Sequence, residues 1–311
     1  MRCGSGSANS RTREKRRTIH LASRPDNAIG EPVDLQTLLF SHAEGVATLT
    51  LNRPQRLNAM NRIMLDEIQT VLDEVGKNDA IRVLVVTGAG NAFSSGFDLK
   101  EQMEARPEGT AAWHKILKRD FDATVRFWNM PKPTIAAVHG HCLAGACELA
   151  LCCDITICSE DAVFGEPELK FGAGIVTMIL PWIAGPKQAK EIIFMGRDSI
   201  PADEALRLGL VNKVVPNGED VNTALAMARH IAAVDPQLMR QTKLAINRSC
   251  EIMGMREALQ ASLDIDLQIE SQGSPDKKQF MDIARKDGLR AAIAWRDARF
   301  PGNSKGLFQH D

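Results

Sequence analysis

Organised alternation of apolar and polar positions begins near Leu35. Val46-Ala-Thr-Leu-Thr-Leu51 joins β-branched and apolar residues and stops at Asn52-Arg53-Pro54, which predicts a strand closed by a turn. Met64, Ile68, Val71, Leu72 and Val75 then recur at helical spacing, a stripe along an amphipathic helix of about four turns. Val83-Leu-Val-Val-Thr87 predicts a buried strand that ends at Gly88-Ala-Gly90. Thr134-Ile-Ala-Ala-Val138 is a third strand, followed by Gly140 and a helix from Gly145 onward. Ile155-Thr-Ile-Cys158 is a fourth. Strands alternating with helices predict an α/β domain with parallel pairing.

Beyond about Asn217 the strand signals stop. Val221 to Ala233 and Pro236 to Ile269 are rich in Ala, Leu, Met, Gln and Arg and predict helices, and Gly288 to Arg299 predicts another. Such helices need a surface against which to bury their apolar sides, so a covering or oligomerising role is expected. The division is therefore a basic N-terminal arm over 1–34, an α/β core over 35–217 and a helical segment over 218–311. No low-complexity linker separates the last two.

Composition narrows the class. With 44% apolar and 25% charged residues among 311, the chain has the ordinary globular mix. A formal net charge of −1 gives the body no general attraction to nucleic acid or anionic membranes. No apolar run reaches the roughly 18 residues of a membrane span; the longest stretches, such as Ile175 to Ile183, are core-sized. Cys142, Cys147, Cys152, Cys153 and Cys158 crowd one apolar stretch, which reads as reduced thiols packed as small side chains. CxxC pairs and an HExxH helix are missing from the sequence, so no metal is expected. Arg2, Arg11, Arg13, Lys15, Arg16, Arg17 and Arg24, offset only by Glu14, make the first residues a basic tail. The expected location is cytoplasmic, or mitochondrial if that arm is a transit peptide.

Several chemistries are excluded by their motifs. Gly88-Ala-Gly90 lacks the third glycine of a dinucleotide fingerprint, because Phe93 stands there. Neither a GxSxG elbow nor a GxxxxGK[ST] phosphate loop occurs. Two segments remain. Asn91-Ala-Phe-Ser-Ser-Gly-Phe-Asp-Leu-Lys100 is a small-residue loop directly after a buried strand. His141-Cys-Leu-Ala-Gly-Ala-Cys-Glu-Leu-Ala-Leu-Cys-Cys-Asp154 places Glu148 in apolar surroundings, with Gly145 and Ala146 where a helix starts and its N–H groups are free for an oxyanion. Glu168 follows in Phe164-Gly-Glu-Pro-Glu-Leu169.

In this order the segments resemble the crotonase, or enoyl-CoA hydratase/isomerase, superfamily. The resemblance runs from Leu51-Asn-Arg-Pro54 through Leu57-Asn58-Ala59, Phe93-Ser-Ser-Gly-Phe-Asp-Leu99, Gly145 to Asp154 and Phe164-Gly-Glu-Pro-Glu168. It continues to Ala205-Leu-Arg-Leu-Gly-Leu-Val211. It implies a spiral of ββα repeats with a C-terminal helical oligomerisation segment, assembly as a homotrimer or dimer of trimers, and acyl-CoA substrates. It places catalytic roles on Glu148 and Glu168, the oxyanion hole on the backbone N–H groups of Ser95 and Gly145, and substrate contacts on Arg56, Leu57, Phe97, Asp98 and Lys100. Coenzyme A is then part of the substrate, and no separate cofactor is implied.

The implied chemistry is addition of water across the 2,3 double bond of an acyl-CoA through an enolate. Isomerisation, hydrolysis or C–C cleavage through the same enolate is the alternative, and RNA binding by the basic arm on this scaffold a more distant one. Branches that use a tyrosine acid are disfavoured, because the chain has no tyrosine. Where typical hydratases carry a glycine-rich run, this chain has Ile175-Val-Thr-Met-Ile179, and Phe97 stands where alanine is common. Both changes are expected to reshape the acyl pocket.

Overall fold

The computed structural model describes Met1 and residues 35–300; the basic arm and its expected role lie outside the described residues. Ten strands are present among the described residues: β1 (Leu38–Ala43), β2 (Val46–Leu51), β3 (Val83–Gly88), β4 (Ala92–Ser94), β5 (Thr134–Val138), β6 (His141–Leu143), β7 (Ile155–Ser159), β8 (Val163–Gly165), β9 (Ile200–Pro201) and β10 (Lys213–Val215). The helices are α1 (Arg62–Lys77), α2 (Leu99–Ala105), α3 (Gly109–Asn129), α4 (Gly145–Cys152), α5 (Leu180–Ile183), α6 (Pro186–Phe194), α7 (Ala202–Arg207), α8 (Asp220–Ala232), α9 (Pro236–Ile252), α10 (Met255–Gln272), α11 (Pro275–Asp287) and α12 (Leu289–Ala298).

The strands form a large sheet in the order β1-β2-β3-β5-β7-β10 and a small one in the order β4-β6-β8-β9. All pairs of the large sheet are parallel except β1 with β2, where Leu38 lies opposite Leu51. In the small sheet β4, β6 and β8 are parallel and β9 returns antiparallel. The chain therefore repeats one step: a strand in the large sheet, a short strand in the small sheet, then helix. β3-β4 leads to α2 and α3, β5-β6 to α4, and β7-β8 to α5 and α6. This is the expected ββα spiral.

The apolar pattern explains why the layers close. Every residue of β3 is buried, as a strand covered on both faces requires. Val83 and Val85 point with Ile135, Ala137 and Ile157 towards Ala224, Ala228 and Ala232, whose small side chains let α8 lie close on the sheet. Leu84 and Val86 join Leu49, Leu51 and Val138 in the core on the other face, with the Met64-to-Val75 stripe of α1. Each such side chain contributes about 1.5–3 kcal/mol on burial.

Three differences from the sequence pattern have physical causes. The run from Pro236 to Ile269 is two helices, because the chain turns between α9 and α10 at Gly254, whose φ of +98° ordinary residues rarely adopt. The pattern reading passes over α3, although Trp113, Leu117, Phe121 and Phe127 line its buried side. Glu168 lies in a 3-10 turn, Glu168–Phe171, where only a loop is expected. Among the described residues no helix is long and apolar enough to cross a membrane. The five clustered cysteines are buried free thiols, and burial pushes the Cys158 thiol up to about 12.

Candidate active site

The junction between β6 and α4 aims the first amide. Ala144 has φ 56° and ψ −137°, a conformation that costs a non-glycine residue about 1–3 kcal/mol. It is held there because its N–H donates to the Gly165 carbonyl (2.8 Å) and its carbonyl accepts from Cys147 and Glu148. The turn starts α4 at Gly145. As the first helical residue, Gly145 has no carbonyl behind it to receive its N–H, and among the described residues that amide has no acceptor.

The loop after β4 supplies the second amide, and it differs from the expectation. The Ser95 N–H donates to the Leu57 carbonyl at 2.9 Å, so it is not available to a substrate. Gly96 N–H is also engaged, by the Ser94 hydroxyl (3.1 Å). Met60 forms an isolated parallel bridge with Phe97, donating to the Gly96 carbonyl (2.8 Å) and accepting from Asp98 N–H (3.0 Å). A parallel bridge of that pattern uses the groups flanking Phe97 and leaves its own N–H directed away. Phe97, two residues past Ser95, therefore carries the free donor of this loop. The two loops touch: a Cβ on Gly145 would lie 2.3 Å from the Phe97 ring, and a Cβ on Gly96 3.3 Å from the Gly145 nitrogen.

Asn58 fixes this loop from below. Fully buried, it donates to the Ala89 and Ala92 carbonyls (2.8 and 2.7 Å) and accepts from Arg53 N–H (2.9 Å). Asp98, expected at the substrate, is instead committed to structure. One oxygen caps α2 through Lys100 and Glu101 N–H, and the other pairs with Arg53 at 2.8 Å. Arg56 and Leu57 are exposed on the 3-10 turn Pro54–Arg56 and just after it, and Lys100 is exposed at the start of α2. These three line no buried surface.

The structure brings the two predicted glutamates together and adds a third. Glu148 on α4 is 1% exposed, Glu166 just after β8 is 1% exposed, and Glu168 is 7% exposed. Each offers a carboxyl oxygen within 4.8 Å of the others. Both oxygens of Glu148 and Glu166 are buried without a hydrogen-bond donor. Burial is the main reason all three hold protons more tightly than ordinary carboxyls. For Glu148 burial pushes the carboxyl well above its usual range, the Glu168 charge adds to it, and Thr177 opposes it. Glu168 is pushed up to about 8 by burial, against the effect of its own backbone and of the neighbouring Glu166 carboxyl.

Elements from the C-terminal region hold the Glu168 turn. The Gly174 N–H donates to Glu270 of α10 (3.2 Å), the Ser274 hydroxyl to the Gly172 carbonyl (2.9 Å), and Phe171 packs on Phe280 of α11 with ring centroids 5.5 Å apart. Glu270 pairs with the buried Lys277 ammonium, which sits 4.3 Å from the Trp113 ring centroid. Asp266, 2% exposed and without a donor, is pushed up to about 6 by burial. The Ile175-to-Ile179 segment is mostly buried beside the acids, with the Thr177 hydroxyl lacking a partner. Sequence reasoning missed Glu166, Asn58, Thr177 and Asp266. Glu166 and Asn58 lie inside the motifs quoted above, but nothing local says which way their side chains face.

Buried carboxyl groups that hold protons tightly, one of them on the helix that Gly145 begins, together with unclaimed amides, are the equipment of an acid–base enzyme that stabilises an anionic carbonyl oxygen. Known proteins place this equipment in a family. The family model described as enoyl-CoA hydratase/isomerase matches residues 41–285, and the chain belongs to that family, within the crotonase superfamily. It is 35% identical over 275 residues to a short-chain-enoyl-CoA hydratase of Clostridium acetobutylicum, covering 85% of this chain and 97% of that protein. A crotonyl-CoA hydratase of Syntrophomonas wolfei is also 35% identical, over 85% of this chain and 98% of its own. The crystal structure of an enoyl-CoA hydratase/isomerase from Xanthobacter autotrophicus Py2 superposes with a TM-score of 0.85 at 59% identity, covering 86% of this chain and 99% of that one.

Proposed function

We propose that the protein is an enoyl-CoA hydratase in which Glu148 and Glu168 handle the protons and the Phe97 and Gly145 amides hold the enolate. The observation that carries this is the meeting of two buried carboxyl groups, from α4 and from the turn after β8, beside the free amides. With Glu148 ionised in the substrate complex, water between the carboxyls gives it a proton as the water oxygen attacks Cβ of the enoyl thioester. The electron pair moves to the thioester oxygen, where two amides meet the developing charge. Glu168 then delivers its proton to Cα, and the 3-hydroxyacyl-CoA forms. In other enzymes, loss of one such amide donor costs about 3–4 kcal/mol of transition-state stabilisation.

Support comes from the relatives named as hydratases, which span nearly the whole fold. The scheme needs no separate cofactor, since coenzyme A enters as part of the substrate. Buried Ile175, Val176 and Ile179 narrow the space beside the acids, which favours short acyl chains. Leu238, Leu244, Ile246 and Ile252 on α9 and Ile265 and Ile269 on α10 are exposed apolar side chains, in keeping with a homotrimer or dimer of trimers.

The test is the purified protein with crotonyl-CoA, following the absorbance of the conjugated thioester. The signal should fall as 3-hydroxybutyryl-CoA appears. Inertness towards short and medium 2-enoyl-CoAs, with conversion of a 3-enoyl-CoA, would replace hydration by double-bond isomerisation.

A further inference from the structure

Glu166 has no place in the scheme above, yet its carboxyl lies inside the site. Its backbone is fixed by an N–H bond to the Arg197 carbonyl (2.7 Å), and both its oxygens are buried without a donor from any amide, hydroxyl or cation. The ionisable groups around it are Glu168 on its own segment, Glu148 and Cys147 on α4, Cys142 on β6 and, behind Glu168, Asp266 on α10. All are acids. Two carboxylates cannot stay ionised side by side away from water without a counter-charge, so a proton must be shared where their oxygens meet.

We propose that Glu166 stays protonated and donates its carboxyl O–H to Glu168, a positioning residue that makes Glu168 a strong enough acid to protonate Cα. The proposal rests on the hydratase reading. The carboxyl oxygens of Glu166 and Glu168 come within 4.8 Å, and Glu168 Oε2 is, like both oxygens of Glu166, buried without a partner, so an O–H shared between them satisfies both groups. With one oxygen accepting from Glu166, Glu168 keeps the other for its own proton, directed at the substrate. When that proton leaves, the new carboxylate finds a donor already in place. Glu166 also faces α4, with a carboxyl oxygen within 4.8 Å of Glu148.

Glu166→Gln keeps a donor that never ionises, and Glu166→Leu removes it at similar size. With crotonyl-CoA, the Gln variant should retain kcat within about 3-fold and an alkaline limb close to that of the unaltered protein. In the Leu variant kcat should fall at least about 10-fold with KM nearly unchanged, and the limb should move up by about one pH unit. A limb that moves down in both variants would show that Glu166 is an anion, because its removal would then relieve repulsion. A limb that stays put in both would reduce it to packing. Infrared spectra of the carboxyl C=O region provide a readout without turnover: Glu166→Gln should lose one protonated-carboxyl band at neutral pH, and an unchanged band overturns the idea. If the unaltered protein does not hydrate crotonyl-CoA, the hydratase reading fails, while the infrared result still decides the state of Glu166.

Discussion

The two segments that bring acids to the site are built by opposite means. Glu148 rides on α4, whose eight residues are all buried, and its backbone is set by helix hydrogen bonds and the strained turn at Ala144. Glu168 begins a four-residue 3-10 turn, too short to hold itself, and it is fixed from outside by Glu270, Ser274 and Phe280. One acid is placed by local structure and the other by the C-terminal helices. The core therefore places Glu148, and the helical region, read from sequence as a cover, holds the turn of Glu168.

The largest effect should come from disarming either acid. Glu168→Gln and Glu148→Gln should each lower kcat by about 10²–10⁴-fold, the range of a positioned general acid or base. Neither should lower the melting temperature, because each replaces a buried carboxyl that lacks a donor at both oxygens in Glu148 and at Oε2 in Glu168. Steady-state rates with thermal unfolding of the same samples check both statements. Near-normal turnover in either variant would remove that residue from the mechanism.

Next in size is the amide pair. A Cβ on Gly145 would run into the Phe97 ring, so Gly145→Ala must displace that ring from between the two loops. A drop in kcat of about 10²-fold is expected, with a smaller change in KM. Ser95→Ala is the contrasting variant. It keeps the backbone bond to Leu57 and should change kcat little.

How far these contrasts could be read from sequence follows the same division. β2, β3, β5, β7 and the stripe of α1 are written in local periodicity, and the folded chain keeps them. That Glu148 and Glu168 come together is legible because their motifs stand in family order. Which amide of the loop stays free is not, since it depends on Leu57 and Met60 pairing across to Ser95, Gly96 and Asp98, about 40 residues away in sequence. Asp98 looks like a substrate ligand until Arg53 and the α2 amides claim its oxygens. The clamp through Glu270 and Lys277 is a long-range contact with no sequence signal.

That clamp sets a third prediction, which tests the Glu168 side alone. Lys277→Met leaves the Glu270 carboxylate buried without its cation, a change that typically costs about 3–5 kcal/mol when a buried pair is broken. Denaturant unfolding should show that loss. The kcat of the folded fraction should fall as the turn loosens, and replacing Glu270 and Lys277 together by Gln and Met should restore part of both. The pH dependence of stability gives a companion result. Burial raises Glu148, Glu166 and Glu168, so the folded chain binds protons at this cluster more tightly than the unfolded chain, which releases them above about pH 4.5. Their contribution is therefore fully present near pH 4 and is lost as the pH rises through about 8 for Glu168, with a slope on the order of 1 kcal/mol per pH unit for each proton. His139, raised by its bond to Asp220, acts in the same direction, so the diagnostic is a shallower slope in Glu168→Gln.

The smallest effect belongs where neither acid-bearing segment is touched. Lys100 stands exposed at the start of α2, its ammonium 3.7 Å from Glu104, an i,i+4 pair that contributes at most about 0.5 kcal/mol. Lys100→Ala should leave the melting temperature and kcat unchanged. If its charge meets the phosphates of coenzyme A at the mouth of the site, KM for crotonyl-CoA should rise about 3-fold, and less so as salt is added. Crotonyl-pantetheine, which keeps the thioester but carries no phosphate, separates that role from any effect on the loop before it. The variant and the unaltered protein should then have the same KM. A difference that persists with the phosphate-free substrate would mean that Lys100 acts through the Phe97 amide, and that the surface of α2 and the interior of the site are not independent.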